Sequence, residues 1–339
     1  MAKPTIIVIG AGVAGLTCAL ELADRGLAVE VVERGRLLGE GSCSWMAGGM
    51  LAPWCERATT EPEVAERGAP SIAWWAEHFP ETVRKGSLVV AQPRDLPDLT
   101  RFSQRTERFE WLDADGIAAL EPDLSGRFRR ALFFPDEAHL DPRRALAALA
   151  TRLQDRGVSI RFGVELAPRE ARADIVVDCR GLAARDALPD LRGVRGEMVV
   201  VRSPDVSLRR PVRMLHPRIP LYIVPRGNGL FMIGATMIES ERRGPVSVRS
   251  AVELLNAAYA LHPAFGEAEI VELGADLRPA FPDNLPDVRQ SGHVLHANGL
   301  FRHGFLLAPA LARRVADVLL DPTSQAETDH ADIRQRRRA

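Results

Sequence analysis

The sequence predicts an α/β chain in which a largely antiparallel β domain is inserted into a parallel-sheet domain. Thr5–Ile9 is an unbroken β-branched run, the pattern of a strand buried on both faces of a parallel sheet. Gly10-Ala-Gly-Val-Ala-Gly15 follows at once, and Leu16, Ala19, Leu20, Leu22 and Ala23 then keep helical spacing as far as Gly26. Farther along, short strand-like runs separated by Pro, Gly and Arg replace that alternation. At 339 residues the chain has room for about two domains.

In chain order, Gly26 stops the first helix and Ala28–Glu33 completes a βαβ unit. A later unit begins at Asp141-Pro142, an N-cap followed by proline at the first helical position, and runs through Leu146, Leu149 and Leu153 to Gly157. It leads into two further parallel strands, Val158–Phe162 and Ile175–Cys179, the second ending before Gly181. Ser87–Ala91, Ala131–Phe134, Gly196–Arg202, Leu221–Pro225 and Leu230–Gly234 form the inserted sheet. A last helix is expected from Pro309 to Leu320. The parallel-sheet domain is thus expected over 1–80, 141–192 and 275–330, the inserted domain over 81–140 and 193–274, and a flexible basic tail over 331–339.

Charge and composition exclude several classes. With 44 basic and 45 acidic residues the net charge is −1, so no global field draws the chain to nucleic acid or an anionic membrane. Lys3 and Lys85 are the only lysines, which argues against Schiff-base chemistry. Cys18, Cys43, Cys55 and Cys179 contain no C-x-x-C pair and read as reduced thiols of a cytoplasmic protein. No apolar run reaches the roughly 18 residues of a membrane span. His293, His296 and His303 straddle a glycine turn without helical spacing, so no metal is expected there.

The glycine turn carries the first chemistry. In G-x-G-x-x-G, Gly10 makes the tight turn, Gly12 lets backbone approach a pyrophosphate, and Gly15 allows close helix–strand packing. The phosphate then meets N–H groups at the helix start. Glu33 ends the second strand, where a carboxylate accepts ribose hydroxyls and repels a 2′-phosphate, although Arg34 beside it leaves the latter open. The same turn serves NAD and FAD. Two other stretches, Gly41–Pro53 and His296–Pro309, are rich in small residues or glycine turns, as if backbone passes close to a flat ligand.

Together these residues resemble the FAD-dependent amine oxidases of the D-amino acid oxidase superfamily, and within it the glycine oxidases of bacterial thiamine biosynthesis. The matching stretches are Val8–Gly15 with Glu33, Ala47-Gly-Gly-Met-Leu-Ala-Pro53, and Gly193–Val201 with Arg195-Gly196-Glu197. Tyr222-Ile-Val-Pro-Arg226, Ile233-Gly-Ala-Thr-Met237, Leu277-Arg-Pro279 and Gly299–Pro309 follow in the same order. The resemblance implies a Rossmann-like FAD-binding domain assembled from separated segments, with an inserted substrate-binding sheet domain over the isoalloxazine ring. FAD is then held non-covalently. Its implied contacts are Gly10, Ala11, Gly12, Val13, Ala14 and Gly15 with Glu33 and Arg34, then Ala47, Gly48, Gly49 and Met50, and then Gly181. The last loop adds Gly299, Phe301, Arg302, His303, Gly304, Phe305 and Leu306.

The resemblance also implies the reaction: glycine or another small amine is oxidised to its imine, which hydrolyses to an oxo acid and ammonia while O2 becomes H2O2. Arg278 matches the arginine that clamps the substrate carboxylate, and Tyr222 the tyrosine that adds a hydrogen bond. Met237 matches a residue of the small side-chain pocket, and Arg302 lies in the loop beside the flavin. Flavin supplies the redox chemistry, so no dedicated general base is required. The helix at Pro309 is expected to direct its N-terminal dipole at the flavin. The partners implied are a small amine, O2, the thiazole synthase pathway and further copies of the chain. Two departures stand out. Asp178-Cys-Arg-Gly181 replaces a small-residue motif, leaving Arg180 between FAD and solvent, and Pro220 stands where the glycine oxidase pattern has histidine. The competing readings are an NAD-dependent dehydrogenase, an RNA-modifying FAD oxidase and a non-catalytic flavin-fold protein.

Overall fold

The computed structural model describes residues 4–215 and 221–320, so Pro220 and the 331–339 tail lie outside the described residues. The chain divides into two compact units, the first built from Met1–Trp45, Arg143–Arg192 and Arg278 onward, the second from Met46–Pro142 and Gly193–Leu277.

The first unit holds a six-stranded sheet. Its order is Asp287–Ser291, Val294–Asn298, Ile175–Asp178, Thr5–Ile9, Ala28–Glu33 and Ser159–Phe162. The last five run parallel to one another, and only Asp287–Ser291 is antiparallel to its neighbour. Parallel strands are covered on both faces, which is why Thr5–Ile9 needs an unbroken β-branched run. The helix Val13–Asp24 packs along the helix Gly304–Leu320, with Leu16, Leu20 and Val315 fully buried. The α/β class, the opening βαβ unit and both later parallel strands stand as the sequence predicts.

The last helix begins at Gly304, not Pro309, and Pro309 sits inside it. Interior proline removes a hydrogen bond and costs about 3 kcal/mol. Burial of Phe305, Leu306, Leu307 and Ala308 ahead of it, each no more than 3% exposed, offsets that cost, at roughly 1.5–3 kcal/mol per large apolar side chain. The N-terminal amides of this helix therefore belong to the glycine loop itself.

The second unit holds an eight-stranded sheet. Its order is Glu269–Ala280, Arg192–Arg202, Leu230–Gly234, Leu221–Pro225, Val212–Leu215, Ser87–Ala91, Arg130–Phe134 and Glu110–Asp113. Val212–Leu215 runs parallel to Ser87–Ala91 within an otherwise largely antiparallel set. The sequence pattern hides three of these strands. Glu110–Asp113 is a mostly exposed edge, Glu269–Ala280 opens with exposed residues, and Val212–Leu215 carries a buried arginine in its middle. Residues 46–80 lie in this unit and not with the parallel sheet as expected. Met50–Leu51 pairs with Ala138–His139, and Ala52, Cys55 and Ala58 share a core cluster with Val89, Leu132 and Phe134.

Candidate functional site

In the first unit, the glycine turn is built by backbone contact. A methyl group on Gly15 would stand 1.8 Å from the Gly10 carbonyl oxygen, and one on Gly10, at φ +107°, would stand 2.6 Å from the Cys179 carbonyl oxygen. Gly12 is different. It caps the helix at φ −75°, and an added methyl would meet only the Ser42 and Ser44 hydroxyls, at 3.2 and 3.3 Å. Those hydroxyls therefore line the helix start, and Ser44 Oγ accepts the Val13 N–H at 3.1 Å. Neither serine is marked by the motif, although both fall in the small-residue stretch. Glu33 accepts the Ala11 N–H through Oε2 at 2.7 Å and the Gly35 N–H through Oε1 at 2.8 Å. Its carboxylate is thus fixed beside the turn, while Arg34 is exposed.

The C-terminal loop meets the same place. A methyl on Gly299 would stand 2.2 Å from the Phe281 ring, and Phe301 also adopts a left-handed conformation, φ 49°. Such a backbone conformation in a non-glycine residue costs about 1–3 kcal/mol and is retained where the fold dictates it. The Phe301 N–H donates to the Pro279 carbonyl at 2.9 Å, closing the loop. The loop ends at Gly304, whose missing methyl group would lie 3.5 Å from Val13 Cγ1. Two helix N-termini therefore lie side by side, and neither carries an acidic residue in its first turn. Paired positive helix ends of this kind suit an anion. Gly181 is held by the Asn298 amide, which donates to its carbonyl at 2.9 Å. Arg302 is half-buried, and its Nε donates to His303 Nε2 at 3.3 Å.

Arg180 has a defined role in the fold. Its Nε donates to Asp178 Oδ1 at 2.9 Å, and its Nη2 donates to Asp178 Oδ2 at 2.9 Å and Asp186 Oδ1 at 2.8 Å. His296 Nδ1 lies 2.9 Å from Asp178 Oδ2. Burial disfavours the Asp178 anion, but hydrogen bonds from His296 and Arg180 outweigh it and hold the carboxyl below its ordinary pKa. Arg180 is thus held by two carboxylates, which answers the question its sequence position left open.

The second unit holds a buried polar cluster around Tyr222. Tyr222 pairs across strands with Arg213, whose guanidinium lies 5.0 Å from the Tyr222 ring centre and 4.8 Å from that of Phe102. The Tyr222 hydroxyl donates to Glu56 Oε1, and Arg213 Nη1 lies 3.9 Å from the same oxygen. Arg213 Nη1 also donates to the Cys55 carbonyl at 3.1 Å. Glu56 and Cys55 ride on the helix Pro53–Arg57, whose start is held by Glu137: the Cys55 N–H donates to Glu137 Oε1 at 2.6 Å, and the Ser87 hydroxyl contacts Oε2. Burial pushes Glu137 up to about 8, against the lowering effect of those hydrogen bonds. Burial likewise pushes the Cys55 thiol up to about 12, so it is no nucleophile at neutral pH.

The other expected residues fall as follows. In the second unit, Arg226 Nη2 donates to the Ala47 carbonyl at 2.7 Å. Gly49, at φ +80°, lies against the Leu140 carbonyl. Gly48 and Met50 are half-buried. Met237 is 51% exposed, and Arg278 is half-buried on the strand Glu269–Ala280. Sequence reasoning missed Glu56, Arg213 and Glu137, since no local pattern joins residues so far apart in the chain.

A parallel sheet with a glycine turn and two convergent helix starts defines a nucleotide-dependent α/β protein, and the chain belongs to the DAO family, FAD dependent oxidoreductase, which matches residues 5–318. It is therefore an FAD-dependent enzyme, and the nicotinamide reading gives way. It is 58% identical over 323 residues, 95% of this chain and 98% of the other, to a protein of Rhizobium etli that carries the name thiamine biosynthesis oxidoreductase ThiO. It is 26% identical to the bifunctional protein ThiO/ThiG of Synechocystis sp., matching over 93% of this chain and 51% of that one. The crystal structure of glycine oxidase from Geobacillus kaustophilus aligns with a TM-score of 0.77 at 25% identity, covering 93% of this chain and 94% of that one. The D-amino acid oxidase type of fold expected from sequence is thus present. The first unit's cradle fits FAD, because the space beside Gly12 is bounded by hydroxyls and amide groups rather than by carboxylates.

Gly12→Ala should leave the apoprotein folded with an unchanged melting temperature while FAD binds about tenfold or more weakly, read as visible flavin absorbance per protein. Gly15→Ala, which meets backbone, should not fold. Glu137 gives a pH signature. From about its ordinary 4.5 up to about 8 the folded chain keeps a proton that the unfolded chain releases. Stability should therefore fall with rising pH in that window, by up to about 1.4 kcal/mol per pH unit. Glu137→Gln cannot ionise, so its melting temperature relative to the wild type should climb as pH rises; a pH-independent difference would contradict the assignment.

Proposed function

We propose that this enzyme oxidises glycine, or another small primary or secondary amine, to the imine, with O2 reduced to H2O2 and the imine hydrolysed to an oxo acid and ammonia. The observation that carries this reading is the 58% identity, over nearly the full length of both chains, to the protein named ThiO. The match to a bifunctional ThiO/ThiG protein supports a product destined for thiazole synthesis, with a thiazole synthase as functional partner. The cysteines, none of them in a disulfide, support a reducing, cytoplasmic setting.

FAD, when bound, supplies the two-electron acceptor and passes the electrons to oxygen. The residues that would hold it are the 10–15 turn with Ser42, Ser44 and Glu33, together with Gly181 and the 299–306 loop. The Val13 and Gly304 helix starts favour negative charge on whatever they face. The 46–50 stretch keeps small side chains, consistent with backbone passing close to a flat ring. Arg278 takes the substrate carboxylate through its planar fork, which suits two oxygens. Tyr222 hydrogen-bonds the substrate and Met237 limits its side chain. Arg302 serves the same chemistry from the glycine loop.

Purified protein should be yellow and release intact FAD on denaturation. It should form peroxide faster from glycine or sarcosine than from phenylalanine or leucine; the reverse order would overturn the small-amine reading. Arg278→Ala should keep its flavin and lose about 30- to several thousand-fold in kcat/KM, since removing one partner of a charged clamp costs on the order of 2–5 kcal/mol. Normal kinetics with glycine would move the clamp elsewhere, Arg302 first.

A further inference from the structure

We propose that Glu56 is a positioning residue that makes Tyr222 a reader of the substrate's amino group rather than of its carboxylate. This rests on the reading above that Tyr222 meets the substrate. A tyrosine hydroxyl has one proton to donate and lone pairs with which to accept. Here the proton is committed, because the hydroxyl donates to Glu56 Oε1. The direction of that bond follows from Arg213, which is ion-paired with the same oxygen. A carboxylate in an ion pair has no proton to offer, so Tyr222 is the donor. What the phenol oxygen presents outward is then a lone pair. An amine N–H is its complement, whereas a carboxylate would bring one acceptor against another.

The surroundings keep this direction. Glu56 is 8% exposed and Arg213 3%, so their attraction is little screened by solvent. The Arg213 guanidinium also lies against the Tyr222 ring, which fixes ring and carboxylate to one cation. Glu56 is set in place by its short helix, whose start is held by Glu137. Turning the Tyr222 proton toward a substrate carboxylate would withdraw a hydrogen bond from a buried anion, which costs more than losing a bond between neutral groups. The substrate carboxylate must therefore draw its donors from other residues.

The test uses holoenzyme and acetate, which has the carboxylate of glycine and no amino group. Acetate affinity is read from the flavin absorbance and glycine KM and kcat from turnover. In Tyr222→Phe the glycine KM should rise about 10- to 100-fold while acetate binds within about twofold of wild type. In Glu56→Gln, which keeps the volume and removes the charge, the Tyr222 hydroxyl is freed to donate, so acetate should bind more tightly as glycine KM rises. Acetate weakening in step with glycine in Tyr222→Phe would overturn the proposal, as would a Glu56→Gln enzyme unchanged toward both. If Glu56→Gln does not fold, the Tyr222→Phe comparison decides alone. If wild type fails to oxidise glycine, the proposed function falls, and the acetate affinities of wild type and Tyr222→Phe still decide which group the tyrosine reads.

Discussion

The nucleotide-binding unit depends on a contact between two backbones. With 1.8 Å between an added Gly15 methyl and the Gly10 carbonyl oxygen, the helix Val13–Asp24 can lie on the strand Thr5–Ile9 only because that methyl is absent. The close seat turns the helix start toward the strand end, where Glu33 and the backbone after Cys179 converge. It also sets Val13 beside Gly304, so that the second helix brings its own positive end to the same place. Anion recognition here follows from packing. No lysine or arginine has to supply charge at the turn, because unpaired amides and aligned peptide dipoles provide it.

The Tyr222 cluster solves a different problem with different means. A guanidinium, a carboxylate and a phenol are buried together, an arrangement that gains little net stability but fixes orientation. Its parts come from three separate stretches: Glu56 from a five-residue helix, Arg213 and Tyr222 from adjacent strands, and Glu137 from the loop that holds the helix start. The price of burial appears in Glu137, whose carboxyl is pushed up to about 8.

Much of the first unit was legible in the sequence because its signals are local. Ile6–Ile9, Gly10 and Gly15 lie within ten residues, and each has one physical reason for its identity. Even the second strand was readable to its ends, Ala28 and Glu33. Legibility fails where an apolar pattern is broken for a functional reason. The strand Val212–Leu215 is obscured by Arg213, which belongs in its core because Glu56 neutralises it. Pro309 suggested a helix start, yet the burial of Phe305–Ala308 carries the helix past it. Residues 46–80 were assigned to the wrong unit because their strand, Met50–Leu51, is only two residues long and finds its partner at Ala138–His139. The cofactor turn could be read from sequence, whereas the carboxylate that orients Tyr222 could not, since it lies 166 residues away.

The central claim is that an FAD held at the Gly10–Gly15 turn and the 299–306 loop takes two electrons from a small amine. The most direct test is to mix the purified holoenzyme with glycine under nitrogen and follow the visible flavin absorbance. The account predicts that the oxidised band bleaches with glycine or sarcosine and returns when oxygen is admitted. A protein that purifies without flavin, or whose bound flavin stays oxidised with every small amine tried, would contradict it.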